Sequence, residues 1–222
     1  AQIDFFKKSY RVIAPDLSGF GKSPMGKATT MQEFADDLDK FLGERAVNEP
    51  VTLVGFSMGG YISFPFYFAH PEKVRALVLC NTRAIADSAE VAAGRETLAK
   101  KVLEKGQIAA FETMLPKLFA KNTPEARGDI VDAVKHMALS CSKEGIASAL
   151  RAMATRTDYS SQLKKIECPT LLLVGSEDTI STPDEMNKIA EGIPKATFRT
   201  IANAGHMAPM ENAGEVNNLL QE

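Results

Sequence analysis

The chain has 222 residues, 45% of them hydrophobic, which is enough to bury a sizeable core in one domain with an insertion. Its 26 Lys and Arg residues nearly balance 28 Asp and Glu residues, and no basic block stands out. Nothing therefore points to a nucleic-acid or membrane partner, and a small neutral or weakly charged molecule fits better.

The spacing of the cysteines and histidines limits the possible disulfide and metal sites. The cysteines, Cys80, Cys141 and Cys168, form no C-x-x-C pair and leave an odd thiol, which argues against a disulfide framework. Three widely separated histidines show no metal-ligand cluster, and we expect no cofactor. The start resembles no secretory signal, and the longest apolar run, 61–69, is too short to span a bilayer. These features predict a cytoplasmic protein.

Strand-like and helix-like segments alternate along most of the chain, which predicts an α/β fold with a mostly parallel sheet and helices on both faces. The predicted strands are residues 11–15, 51–54, 75–80, 170–174 and 197–201. Thr30 with Glu33 has the capping-box pattern and opens a helix predicted over residues 30–46. Only helical patterns remain from about residue 84 to 161. We therefore predict a core of residues 1–83 and 162–222 and an inserted helical cap of residues 84–161.

The strand at 51–54 runs into a serine framed by glycines, Gly55-Phe56-Ser57-Met58-Gly59. In a nucleophile elbow of the form G-x-S-x-G the turn is sharp, so Gly55 and Gly59 would leave room and expose the Ser57 hydroxyl. The same turn would aim the backbone N–H of Met58 at the group that Ser57 attacks. A plain glycine turn with a bystander serine is the alternative, and the strand–turn–helix context disfavours it.

A serine hydroxyl needs a base to take its proton and a carboxylate to orient that base. Asp178 follows the strand at 170–174, and His206 follows the strand at 197–201. Both project from carboxyl ends of parallel strands, the edge that also carries Ser57. Glu177 is the rival acid, and Asp178 could instead be a turn former. The order Ser, Asp, His nevertheless matches one known triad.

On these motifs the chain resembles the α/β-hydrolase superfamily. The resemblance is carried by residues 11–16, 19–23, 55–60, 70–74, 175–178 and 205–206. Residues 79–83 and the short cap are most similar to enol-lactonases, small carboxylesterases and cofactor-free haloperoxidase-like enzymes. The resemblance implies the α/β-hydrolase fold, the catalytic residues Ser57, Asp178 and His206, and Met58 as an oxyanion donor.

Three further residues are candidates for contact with substrate: Phe56, Arg83 and Met207. Phe56 and Met207 adjoin Ser57 and His206 in the chain. Arg83 could anchor a substrate carboxylate as an enol-lactonase would need, although a solvated surface arginine is the more common role.

One departure from the family pattern concerns the start of the chain. Members normally begin with two or three strands, and the third ends in a His-Gly loop that supplies the second oxyanion donor; no such segment is present here. We therefore expect a chain truncated at its amino terminus, or one that takes a strand from a partner. The family's missing strand lies between residues 11–15 and 51–54, so its loss would leave a gap in the sheet.

The leading functional hypothesis is a serine hydrolase that cleaves a small ester or lactone through an acyl-enzyme. Perhydrolysis would use the same residues, with hydrogen peroxide in place of water. Dehalogenase chemistry is disfavoured because the elbow carries Ser57 rather than aspartate. A hydrolase-fold protein that binds a small ligand without turning it over is the hypothesis from another class.

Overall fold

The computed structural model describes residues 1–26 and 28–221, which are built around a four-stranded parallel sheet. In spatial order the strands are β1 (Val51–Phe56), β2 (Val74–Cys80), β3 (Thr170–Gly175) and β4 (Ala196–Ile201). These strands confirm four of the five predicted ones. Because neighbouring parallel strands need crossover connections, the chain crosses back to the starting edge of the sheet before each new strand begins.

Eleven α-helices connect and cover the strands of the described chain. They are α1 (Gln2–Phe6), α2 (Met31–Glu44), α3 (Met58–Ala69), α4 (Ala89–Lys105), α5 (Ile108–Leu118), α6 (Thr123–Ala126), α7 (Gly128–Ser140), α8 (Lys143–Ala154), α9 (Pro183–Gly192), α10 (Ala208–Glu211) and α11 (Ala213–Gln221). Short 3₁₀ helices span Pro71–Lys73 and Ser160–Lys165. The predicted capping box at the start of α2 is confirmed, since Thr30 and Glu33 satisfy each other's backbone N–H groups. Among the described residues, no helix is long and apolar enough to cross a membrane.

Alternate residues of the central strands face opposite sides of the sheet, as the two-residue period of a strand requires. One side packs against α2, α3 and α9, and its strand residues include Leu77, Leu79, Leu172 and Val174. The other side packs against α11, and its strand residues are Val78, Cys80, Leu173 and Ile201. Apolar burial on both faces gives the layered helix–sheet–helix arrangement.

The strand predicted at residues 11–15 is wrong: the structure assigns no regular element there. The segment is followed by the turns around residues 18–23, and its side chains alternate in exposure as a strand's would. A strand exists only where a neighbour pairs its backbone groups, and among the described residues β1 pairs with β2 alone. Val54 in β1 is accordingly 54% exposed.

Between β2 and β3 the chain forms the helical insertion, which we define as α4 to α8. All five helices lie within the range 84–161 that was predicted as a cap. Its base is fastened by a buried ion pair, in which Arg156 Nη1 lies 2.6 Å from Asp87 Oδ1 and the two side chains are 3% and 0% exposed. Arg95 Nε lies 2.5 Å from the same carboxylate. Buried charges are tolerated when paired in this way.

The turn between β1 and α3 is tight and is held by the neighbouring strand. Ser57 adopts φ 51°, a left-handed conformation that is uncommon for any residue but glycine. Its N–H donates to Cys80 O at 2.9 Å, and its carbonyl accepts from Thr82 Oγ1 at 2.8 Å. A Cβ at Gly55 would lie 2.6 Å from Gly59 O. The turn therefore requires glycine at position 55, as predicted.

The expected steric need for glycine at position 59 is wrong, and the restricted position is Gly60. Outside the neighbouring backbone of α3, a Cβ at Gly59 would meet no described atom within 4 Å. A Cβ at Gly60 would lie 2.6 Å from Cβ of Thr82, closer than real contacts allow. Helix α3, which begins at the elbow, thus comes closest to the residues after β2 at Gly60.

We predict that Gly60→Ala lowers the free energy of unfolding by about 2 kcal/mol, because the added methyl overpacks the contact with Thr82. Gly59→Ala is the matched control, and it should be neutral or stabilising by up to about 1 kcal/mol through helix propensity. Urea unfolding of both variants measures the difference. Equal stability of the two variants would contradict the steric account.

Candidate active site

The three side chains predicted to form a triad lie together at the carboxyl edge of the sheet. Ser57 follows β1, Asp178 follows β3 and His206 follows β4. Nε2 of His206 is 2.9 Å from Ser57 Oγ, and Nδ1 is 2.9 Å from Asp178 Oδ2. The structure therefore brings all three into one chain of hydrogen bonds.

The ionised state of Asp178 decides where the protons lie in these hydrogen bonds. An ionised carboxylate can only accept, so Nδ1 of His206 donates to Asp178. In the neutral ring, Nε2 is then the acceptor for the Ser57 hydroxyl. The side chains of Asp178 and His206 are 0% and 5% exposed. Little water can compete for these hydrogen bonds, so the imidazole is held in one tautomer.

The Asp178 carboxylate is buried but well supplied with donors. Oδ1 accepts from the N–H groups of Ile180 at 2.7 Å and Ser181 at 3.1 Å. Oδ2 accepts from Ser181 Oγ at 2.7 Å and Asn81 Nδ2 at 2.8 Å, besides His206. Burial raises the pKa of Asp178, but His206, Asn81 and Ser181 outweigh it and lower the pKa from 3.8 to about 2. The carboxylate is thus ionised at neutral pH.

Asn81 is a site residue that the sequence analysis did not single out. It follows β2 directly, is 1% exposed and has φ 47°, a conformation that asparagine tolerates. Nδ2 faces two acceptors, Asp178 Oδ2 and, at 3.3 Å, Gly205 O, so the amide cannot be flipped. Oδ1 has no partner among the described residues. A polar residue at the end of a buried strand, on the edge that carries Ser57, was the available signal.

The other predicted residues occupy different settings. Met58 is the first residue of α3, so its N–H has no acceptor within the helix. The Phe56 ring lies 5.4 Å from the His206 ring, centroid to centroid. Met207 packs against the apolar cluster that includes Phe119. Met58 and Phe56 thus lie next to Ser57 and His206, and Met207 joins the His206 loop to the helical insertion.

The Arg83 guanidinium is paired with a carboxylate of the same chain. Its guanidinium forms a two-pronged ion pair with Glu185 on the first turn of α9. Burial raises the pKa of Glu185, but Arg83 and Thr182 together outweigh it and lower the pKa, so the carboxylate is ionised. The rival acid, Glu177, accepts from Lys121 N instead. Arg83 therefore has no part in our proposal as a carboxylate anchor.

We predict that Asn81→Gly lowers the free energy of unfolding by an amount that depends on pH. The lowered pKa of Asp178 stabilises the fold by about 2 kcal/mol above pH 4, and this contribution is lost as the pH falls from 4 to 2. Removal of the Asn81 donor raises that pKa toward 3.8, so the stability above pH 4 drops and the acid slope flattens. Glycine accepts the positive φ without strain.

The measurement is urea unfolding at several pH values between 2 and 7. Asn217→Ala is the control, since Asn217 is also buried but accepts from Gln2 Nε2, an uncharged donor. Its loss of stability should not vary across this range. An Asn81→Gly slope identical to the wild-type slope would contradict the assigned role of Asn81.

Comparison with known proteins agrees with this geometry. Residues 2–213 match the family model described as the alpha/beta hydrolase fold. The chain is 27% identical to 3-oxoadipate enol-lactonase 2 of Acinetobacter baylyi over 222 residues, covering 99% of this chain and 80% of that protein.

Two solved structures are also similar over nearly the whole chain. A thermophilic esterase from Thermogutta terrifontis, solved with malate bound, has a TM-score of 0.95 and 37% identity, covering 99% of this chain and 81% of that one. The enol-lactonase from Burkholderia xenovorans LB400 has a TM-score of 0.89 and 25% identity, with 100% and 85% covered. The relatives support a hydrolase, and the chain belongs to the α/β-hydrolase fold family.

Proposed function

We propose that this protein is a serine hydrolase that cleaves a small ester or lactone through an acyl-enzyme intermediate. The observation that carries the proposal is the pair of 2.9 Å contacts that joins Ser57 Oγ through His206 to Asp178. This is the arrangement that converts a weak serine hydroxyl into a nucleophile.

In the first half of the proposed reaction, Ser57 Oγ attacks the substrate carbonyl while Nε2 of His206 takes the hydroxyl proton. The imidazolium that forms is stabilised by the Asp178 carboxylate, which stays ionised. The tetrahedral intermediate collapses, and His206 returns the proton to the leaving alcohol. For a lactone, that alcohol remains part of the acyl group, and the second half releases both together as one hydroxy acid.

In the second half, His206 takes a proton from water, and the resulting hydroxide attacks the acyl carbon bonded to Ser57. Collapse of this intermediate releases the acid, and His206 gives the proton back to Ser57 Oγ. The steps require these side chains and water, and no cofactor. Hydrogen peroxide in place of water would produce a peracid at the same site.

We assign one donor for the developing oxyanion, the backbone N–H of Met58. It lies at the amino terminus of α3, where unpaired N–H groups and the helix dipole favour negative charge. Such donors contribute strongly because they are fixed before the reaction. We further propose that residues 84–161 form a cap beside the site, with Phe56 and Met207 as substrate contacts.

The substrate class rests on the relatives as well as the site. The similar proteins are named as an enol-lactonase and an esterase. Both kinds of substrate present a carbonyl to a serine nucleophile. The competing hypothesis, a binding protein without turnover, predicts that Ser57 is not activated despite its contact with His206.

We predict that wild-type protein hydrolyses p-nitrophenyl acetate and that Ser57→Ala reduces kcat by at least about 1,000-fold, since it removes the nucleophile. Ser63→Ala is the matched control: Ser63 lies on α3, and its hydroxyl donates to Gly59 O rather than to His206. Its kcat should stay within about threefold of wild type, because it leaves the Ser57–His206–Asp178 hydrogen bonds in place.

Labelling by a fluorophosphonate separates the two hypotheses. An activated Ser57 should be labelled in wild type and Ser63→Ala, and not in Ser57→Ala. A folded wild-type sample that shows neither turnover nor labelling would refute the hydrolase proposal and favour the binding protein.

A further inference from the structure

The segment that joins α5 to α6 in the helical insertion lies against both loops that carry the proposed acid and base. Met207 N, directly after the base, donates to Leu118 O at 2.9 Å. Lys121 N donates to Oε2 of Glu177, directly before the acid, at 2.9 Å. This connecting segment, residues 118–123, is therefore hydrogen-bonded to the neighbours of two site residues.

Glu211 in α10 is the centre of this contact. Its Oε2 accepts from Gly205 N at 2.8 Å. Its Oε1 accepts from Ala120 N at 2.8 Å and from Thr123 Oγ1 at 2.7 Å. One carboxylate thus holds the residue before the proposed base with one oxygen and the connecting segment with the other.

Backbone packing makes the same contact rigid. A Cβ at Gly205 would lie 2.5 Å from Ala120 N, so the two backbones touch directly. On the other side, a Cβ at Gly175, the end of β3, would lie 2.7 Å from Ala204 C. The chain just before His206 is therefore enclosed between the sheet and the connecting segment, and it cannot shift without moving one of them.

We propose that Glu211 is a positioning residue that sets the place of His206 relative to Ser57 by tying the His206 loop to the helical insertion. The proposal rests on the proposed function, in which His206 is the base. The Glu211 carboxylate is bonded to Gly205 N rather than to the His206 ring, so it acts through the backbone of Gly205. A displacement of about 1 Å in a reacting group can cost about 100-fold in rate.

The test replaces the carboxylate by an amide of the same shape. In Glu211→Gln only one atom can accept, and the amide NH₂ would face an N–H group of Gly205 or Ala120. We expect kcat for p-nitrophenyl acetate to fall between about 10- and 100-fold, with KM within about twofold, because the base is displaced while the substrate contacts remain.

Glu177→Gln is the matched control. Glu177 accepts from one donor, Lys121 N, and the amide oxygen of glutamine can still accept it. Its kcat should stay within about twofold of wild type, since no bond is lost. Thr123→Val is the second variant if Glu211→Gln does not fold; it removes one of the three donors and should lower kcat about threefold.

A second readout does not depend on turnover: the NMR signal of the His206 Nδ1 proton, which faces Asp178. It should shift in Glu211→Gln and remain in place in Glu177→Gln. Unchanged kcat and an unchanged signal in a folded Glu211→Gln would overturn the proposal. Wild type without Ser57-dependent turnover would instead refute the proposed function, and the shift of the proton signal would still decide the role of Glu211.

Discussion

The buried negative charge of Asp178 is the constraint on which the rest of the site depends. A carboxylate with no exposed surface is strongly destabilising unless hydrogen bonds fill its lone pairs. Its donors come from the loop after β2, from its own loop after β3 and from the loop after β4. Satisfying this charge therefore holds three loops in register, and His206 is oriented as part of the same network.

Ser57 is held by a separate set of contacts, which also involves residues at the end of β2. Its left-handed backbone is costly, and the hydrogen bonds to Cys80 O and Thr82 Oγ1 hold it there. Both partners belong to the end of β2, which also supplies Asn81. Ser57 and Asp178 are thus both held by residues at the end of β2. The helical insertion contacts the loop before His206 through Glu211.

Much of this arrangement could be predicted from local sequence patterns. Alternating apolar runs identified four strands, and the strand order of an α/β chain placed Ser57, Asp178 and His206 on one edge. The misses all depend on tertiary contacts. The segment at 11–15 has a strand pattern but no pairing neighbour among the described residues, and Gly60 rather than Gly59 meets Thr82. The contacts of Asn81 with Asp178, of Glu211 with Ala120 and of Arg83 with Glu185 join residues that are distant in sequence, so local patterns do not reveal them.

The most direct test of the central claim is detection of the acyl-enzyme itself. Wild-type protein mixed with p-nitrophenyl acetate is quenched in acid during turnover, and the peptides are analysed by mass spectrometry. The account predicts an acetyl group on Ser57 of the wild type and a much smaller acetylated fraction in His206→Gln, which lacks the base that takes the Ser57 proton. Wild-type turnover without acetylated Ser57, or acetylation at another residue alone, would contradict it.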